Sequence, residues 1–236
     1  METEPRLLII ETSGRVGQVG LAEGGRLLQT RRLNEARRHA RDLAPAIGDL
    51  LQTQGWQPRD LHGVIVSRGP GSYTGLRVGI MSAKTLAYAT DAALILVDTF
   101  AAIAEQTPAE IERVDIVSDA QQQRLYIQTF ARSGVGGSVL AEGPLRIEAI
   151  ADWLARRPSS DWVSGPGVRV YRDRFPPTLR LLNEESWDPR LENLLKIGFE
   201  RFARNERDDG WSAEPLYLRP SSAEEKWRSA SPGKQG

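Results

Sequence analysis

Ser67-Arg68-Gly69-Pro70-Gly71-Ser72-Tyr73-Thr74-Gly75-Leu76-Arg77-Val78-Gly79 is a glycine-rich junction between two apolar segments. Val64-Ile65-Val66 leads into it, and a long helical pattern from Leu76 to Ala89 leads out. The order is strand, loop, helix. Glycines at 69, 71 and 75 allow positive φ and close approach of another backbone. Ser72 or Thr74 is placed to cap the helix, and the N–H groups at a helix start favour anions. No standard phosphate loop fits. A P-loop needs lysine after its last glycine, where Leu76 stands. A nucleophile elbow needs glycines where Pro70 and Thr74 stand around Ser72. Two readings stay open, a tight turn that delivers the helix to a sheet and an anion site.

The helix is apolar on nearly every side, which predicts burial nearly all round. Gly75, Gly79, Ser82 and Leu86 share one face; Leu76, Ile80, Ala83 and Ala87 share the next; Val78, Met81, Thr85 and Tyr88 share a third. Small residues let a second backbone pack close. Either the chain's own core or a second subunit covers them. The second reading makes Gly75, Gly79, Ser82, Ala83 and Leu86 the candidate partner interface. It also expects Gly79→Arg to fold and lose pairing.

The junction and its alanine-rich helix resemble the TsaB (YeaZ) family. Ile9-Ile10-Glu11-Thr12-Ser13 is similar to that family's opening strand motif, Arg37 to Pro45 to the start of its first helix, and Pro215-Leu216-Tyr217-Leu218-Arg219 to its closing motif. The likeness runs from about Leu7 to Arg219. It implies an α/β, two-lobed fold of the actin, hexokinase and heat-shock ATPase kind, with mixed sheets flanked by helices. It also implies a non-catalytic dimerisation subunit of the machinery that makes threonylcarbamoyladenosine in tRNA. Its partners would be a TsaD-like catalytic transferase and a TsaE-like ATPase. The chain alone would be a homodimer, meeting tRNA only through the complex. An ATP-dependent kinase or ATPase of the same fold is the alternative.

Composition narrows the options. The 236 residues carry 31 Lys+Arg against 31 Asp+Glu, a net charge of zero, which argues against a stand-alone tRNA binder. Arg31, Arg32, Arg37, Arg38 and Arg41 form a local basic run, most simply a solvated face. The absence of cysteine excludes disulfides and thiolate sites and suits a reducing cytoplasm. The acidic start, Met1 to Pro5, has no apolar h-region, and no run approaches membrane-spanning length.

Strand patterns at Leu7–Ile10, Val16–Ala22 and Leu27–Leu33 make an opening meander. A helix from Ala40 to Leu51 carries Pro45, which must lie in the first turn or bend it. Strands follow at Val64–Val66 and Leu94–Val97, and a linking helix at Thr99–Gln106. The pattern then restarts, with strands at Val114–Val117, at Leu125–Phe130 and near Val139. Glu11 and Asp119 end the first strand of each half. A helix spans Glu148–Arg156, a short strand Trp162–Ser164 precedes Gly165-Pro166-Gly167, and an amphipathic helix runs from Leu191 to Phe202. The expected division is 1–104, 105–219 and a disordered tail, 220–236, rich in Pro, Ser, Glu and Lys.

The candidate chemistry is sparse. His39 and His62 are the only histidines and are far apart, and position 43 is leucine, so no metal site is expected. A serine peptidase built on Ser72 lacks its elbow. Glu11, Ser13, Gly69, Gly71, Ser72 and Asp119 are candidates for weak anion or nucleotide binding, ATP or ADP, with no other cofactor expected. The family has Asp where this chain has Glu11 and usually arginine where Gln121 and Gln122 stand. Both departures weaken a charge-based ligand role.

Overall fold

Leu7 to Glu11 are all buried, a run covered on both faces. They belong to β1 (Arg6–Glu11), the middle of a five-stranded sheet. The computed structural model describes residues 4–33, 39–134, 137–158, 161–216 and 218, with backbone only at 39 and 40. The 220–236 tail with Trp227, and Arg37, Arg38, Tyr217 and Arg219, lie outside the described residues.

β2 (Gln18–Glu23) and β3 (Arg26–Arg32) complete an antiparallel meander with β1. β4 (Gly63–Gly69) and β5 (Ala93–Asp98) add in parallel on its other side, giving the order β3-β2-β1-β4-β5. Strand alternation sorts the side chains. Leu8, Ile10, Val64, Val66, Leu94 and Leu96 face α1 (His39–Thr53) and α2 (Tyr73–Thr90). Leu7, Ile9, Ile65, Ile95 and Val97 face the opposite way. Pro45 sits inside α1, on its exposed side, so its ring displaces no core side chain, while the helix forgoes the backbone hydrogen bond that a proline nitrogen cannot donate.

α3 (Thr99–Ala104) leads to the second half. There β6 (Arg113–Asp119), β7 (Arg124–Arg132) and β8 (Val139–Ala141) form another meander, with β9 (Arg146–Ala149) also pairing β7. Helix α4 (Ile150–Arg156) follows. Then β10 (Trp162–Ser164) and β11 (Arg180–Leu181) add in parallel beyond β6. Between these two strands lies α5 (Pro166–Tyr171). The order β8-β7-β6-β10-β11 repeats the first sheet strand for strand, so the sequence repeat is one of topology. Each half also carries Gly-Pro-Gly after the strand that lies parallel to its first, β4 beside β1 and β10 beside β6. Gly69 and Gly165 both have φ of 109°, a backbone region that favours glycine.

Helix α6 (Leu191–Ala203) corrects the expected division. The 105–219 unit would hold it, yet Leu191, Leu194 and Leu195 fill the open face of the first sheet. Gly198 lets α6 lie close to Ile65. The chain then rounds the β5 edge: Asp208 N donates to Leu94 O at 2.8 Å, Ala213 enters the α1–α2 core, and Leu216 N donates to Arg68 O at 2.8 Å. That strap covers an edge strand and sets part of the closing motif against the glycine junction.

Candidate functional site

At the end of β1 the chain turns sharply, and the turn is built around the Glu11 carboxyl. Its Oε1 accepts from Ser13 N at 2.6 Å, Ser13 Oγ at 2.5 Å and Gly14 N at 3.2 Å. Glu11 is 1 % exposed. Burial pushes its pKa above the ordinary 4.5, against the pull of those hydrogen bonds. A carboxyl raised by folding favours the folded state while it is protonated, and the advantage is lost as pH rises through the raised value. Glu11→Gln keeps the acceptor without the charge. The expected result is that wild type loses stability relative to Glu11→Gln as pH rises from about 4.5, with a constant difference above the raised pKa. Urea melts of both proteins across that range check it.

The glycine junction clamps this turn from the other side. A Cβ at Gly71 would lie 2.5 Å from Ser13 O. One at Gly75 would fall on Thr12 O, and one at Gly79 on Thr12 Oγ1, each nearer than real Cβ atoms come. Ser72 N donates to Ser13 O at 2.7 Å, and Ser72 Oγ caps α2 by accepting from Gly75 N at 3.3 Å. The junction is therefore a tight turn. Its glycines exist because two stretches of this chain's own backbone meet there.

This contact removes Gly75, Gly79 and Ala83 from the candidate interface. Gly75, Gly79 and Ala83 are buried inside the chain, and Leu86 packs on the α1–α2 core. Ser82 is half-buried. The side of α2 turned outward carries Met81 at 58 % and Tyr88 at 86 % exposure, with Thr85 between them. The sequence pattern groups Met81, Thr85 and Tyr88 correctly, but periodicity cannot say which of two apolar faces is covered. Exposed Trp211 on the strap also escaped the sequence reading. It falls in no periodic pattern.

In the second half Asp119 ends β6 as Glu11 ends β1. Asp119 Oδ1 accepts from Gln121 N and from Tyr171 Oη, both at 2.6 Å. Burial and this carboxylate push the Tyr171 pKa up to about 12. Gln121, Gln122 and Gln123 all have positive φ. Gly167 lets α5 approach Ser118, the counterpart of Gly75 on Thr12. Between the halves a cleft of about 230 Å³ is lined by Gly14, Arg15, Gln18, Arg32, Arg169 and Asp188. Arg169 is held there by Glu184 at 3.1 Å and Asp188 at 2.9 Å. Glu11, Ser13, Gly69, Gly71 and Ser72 thus come together, while Asp119 anchors a separate turn.

His62 Nδ1 accepts from Arg6 N at 3.0 Å. Among the described residues no group of three His, Asp or Glu is placed to hold a metal ion, and no helix is long and apolar enough to cross a membrane.

Residues 32–149 match the family model described as TsaD, tRNA N6-adenosine threonylcarbamoyltransferase. The chain is 29% identical to the Escherichia coli tRNA threonylcarbamoyladenosine biosynthesis protein TsaB, over 98% of this chain and 100% of the relative. The protein of the same description from Bacillus subtilis is 27% identical, over 80% and 83%. YeaZ from Pseudomonas aeruginosa, a solved structure, superposes with a TM-score of 0.75 at 27% identity, covering 91% of this chain and all of that one.

Proposed function

Because the chain belongs to the TsaB (YeaZ) family, we propose that it is the non-catalytic partner subunit of the complex that makes threonylcarbamoyladenosine in tRNA. It binds a TsaD-like transferase subunit and holds it in its working form. A TsaE-like ATPase joins the pair, tRNA is met only through the assembly, and the isolated chain pairs with itself in the cytoplasm. The names of the Escherichia coli and Bacillus subtilis relatives support the pathway. The kinase or ATPase alternative is not favoured.

One observation carries the docking role: the outward face of α2. Met81 and Tyr88 are large, apolar or amphipathic, and mostly exposed, although every other face of the helix is covered. α1 lies beside it on the same sheet and exposes Ala44, Pro45 and Gly48. Small residues next to two large anchors suit a helical partner that approaches closely, with the anchors as the desolvated centre.

Met81→Glu combined with Tyr88→Glu tests this. Two buried anchors of about 2 kcal/mol each correspond to weakening of several hundred-fold or more. The melting midpoint should stay nearly unchanged, because both residues are exposed. Light scattering during size-exclusion chromatography, with and without the transferase subunit, is the measurement. Undiminished association by the folded variant would place docking elsewhere.

A further inference from the structure

Trp211 is 87 % exposed, whereas Trp153 and Trp187 are buried and Trp56 and Trp162 pack against core clusters. Its turn does not need it. Asp209 builds that turn: Oδ1 accepts from Trp211 N at 3.2 Å, and Oδ2 from Ser212 N at 3.1 Å and Ser212 Oγ at 2.8 Å. These bonds use the backbone and Ser212, so other side chains at 211 would serve the turn equally. A large aromatic left in water by a turn that does not require it is the pattern of an interface anchor. The turn is also held firmly. Before it, Asp208 Oδ2 accepts from Leu96 N at 2.7 Å and Arg201 Nη1 at 3.1 Å, tying the strap to β5 and α6. After it, Ala213 enters the α1–α2 core. A tryptophan on a fixed backbone has only its two side-chain torsions left to order on binding.

Lys84 locates this anchor relative to α2. Its Nζ donates to Ala213 O at 3.2 Å, two residues from Trp211. Lys84 lies on α2 three residues after Met81 and four before Tyr88, about one helical turn from each. α1 lies over β2 and β3, α2 over β4 and β5, and the strap along the β5 edge. The outward face of α2 is therefore flanked by the strap on the side away from α1, with the Lys84 stem between Met81, Tyr88 and the Trp211 turn. Charge defines what fits there. Asp209 and Glu214, on either side of Trp211 in the chain, are both exposed. The Ser212 hydroxyl and the Trp211 and Ser212 N–H groups hold the Asp209 carboxyl below the usual carboxylate range, so it is charged near neutral pH. An indole face beside carboxylates is a seat for a cation, guanidinium best of all.

We propose that the Trp211 turn is a second contact for the transferase subunit that docks on α2, and that it seats an arginine or lysine of that subunit against the indole, beside Asp209 and Glu214. This rests on the reading of α2 given above, since a partner covering Met81 and Tyr88 meets the strap next.

The test is calorimetric titration of the full chain with its TsaD-like transferase subunit. Wild type is compared with Trp211→Ala, Trp211→Phe, Glu214→Lys and the Met81→Glu, Tyr88→Glu double variant. All should melt close to wild type, because every altered residue is exposed. Trp211→Ala should bind about thirty-fold more weakly, and Trp211→Phe, which keeps an aromatic face, within about five-fold of wild type. Glu214→Lys should weaken binding about five-fold. A folded Trp211→Ala protein that binds normally while the α2 variant fails would overturn the inference and leave the α2 reading intact. Weaker binding by Trp211→Ala but not by the α2 variant would keep the strap contact and remove α2 from the interface. Undiminished binding by Glu214→Lys would overturn the cationic seat. Weaker self-association of Trp211→Ala with undiminished transferase binding would make a second copy the occupant and overturn the inference.

Discussion

Gly79→Arg is expected to abolish folding rather than pairing. A Cβ at this position falls on Thr12 Oγ1, with Ile10 behind it. An arginine would have to push α2 off the sheet or bury a guanidinium among Ile10, Thr12 and the sheet core. Overpacking costs about 1–3 kcal/mol, and an unpaired buried charge adds about 3–5 kcal/mol. Together these reach the whole stability of a typical domain, about 5–15 kcal/mol. Circular dichroism should show no cooperative melt. Gly48→Ala is the matched control. Gly48 is also a helical glycine, but nothing lies within 4 Å of its Cβ position, so alanine should stabilise the protein by about 0.5–1 kcal/mol. A cooperative, near-wild-type melt for Gly79→Arg would contradict the packing of α2 on β1.

Asp115→Ala should be the most damaging single change in the second half. Asp115 is 3 % exposed on β6. It accepts from Thr129 Oγ1 at 2.7 Å, its cross-strand neighbour on β7, and from Trp153 Nε1 at 3.0 Å. Arg157 lies 3.8 Å away, its side chain 5 % exposed and its guanidinium over the Trp153 ring. Arg157 also donates to Asp161 O at 2.5 Å. Removing the carboxylate leaves two donors unmet and takes from the buried Arg157 one of its two acidic neighbours, Asp161 being the other, a loss of about 3–5 kcal/mol. For a chain of this size that is a fall of about 10 °C or more in melting midpoint. The second half of a double-mutant cycle isolates the cause: in an Arg157→Met background the same substitution should cost much less, because no charge is stranded. Equal costs in both backgrounds would show that Arg157 does not depend on Asp115.

Much of the fold was legible because burial on two faces leaves a strong pattern. β1, β4 and β5 carry near-continuous apolar runs, and α1 and α6 keep helical spacing over three turns or more. The short pieces were not legible. β9, β11 and α5 are two to six residues long, too short for a period to declare itself. Gly165-Pro166-Gly167 did carry a signal, as a second copy of Gly69-Pro70-Gly71. It becomes meaningful only once both are seen to follow the strand lying parallel to the first strand of their halves.

For the site, the sequence by itself determined which residues have the capacity to act: glycines where backbones meet, an acid at the end of each first strand, a helix with more apolar surface than one core face needs. It also determined the family, through motifs spread in order along the chain. Tertiary structure decided the use of each. Gly75 and Gly79 face inward because β1 ends directly beneath α2, so Met81 and Tyr88 remain for a partner. Glu11 and Asp119 turn back on their own backbones because each turn presents its N–H groups to the nearest carboxylate. α6 belongs to the first sheet although it follows the second, because its leucines cover the apolar face formed there by Leu7, Ile9, Ile65 and Ile95. Each outcome depends on contacts between residues far apart in the chain, whose distances local pattern does not encode.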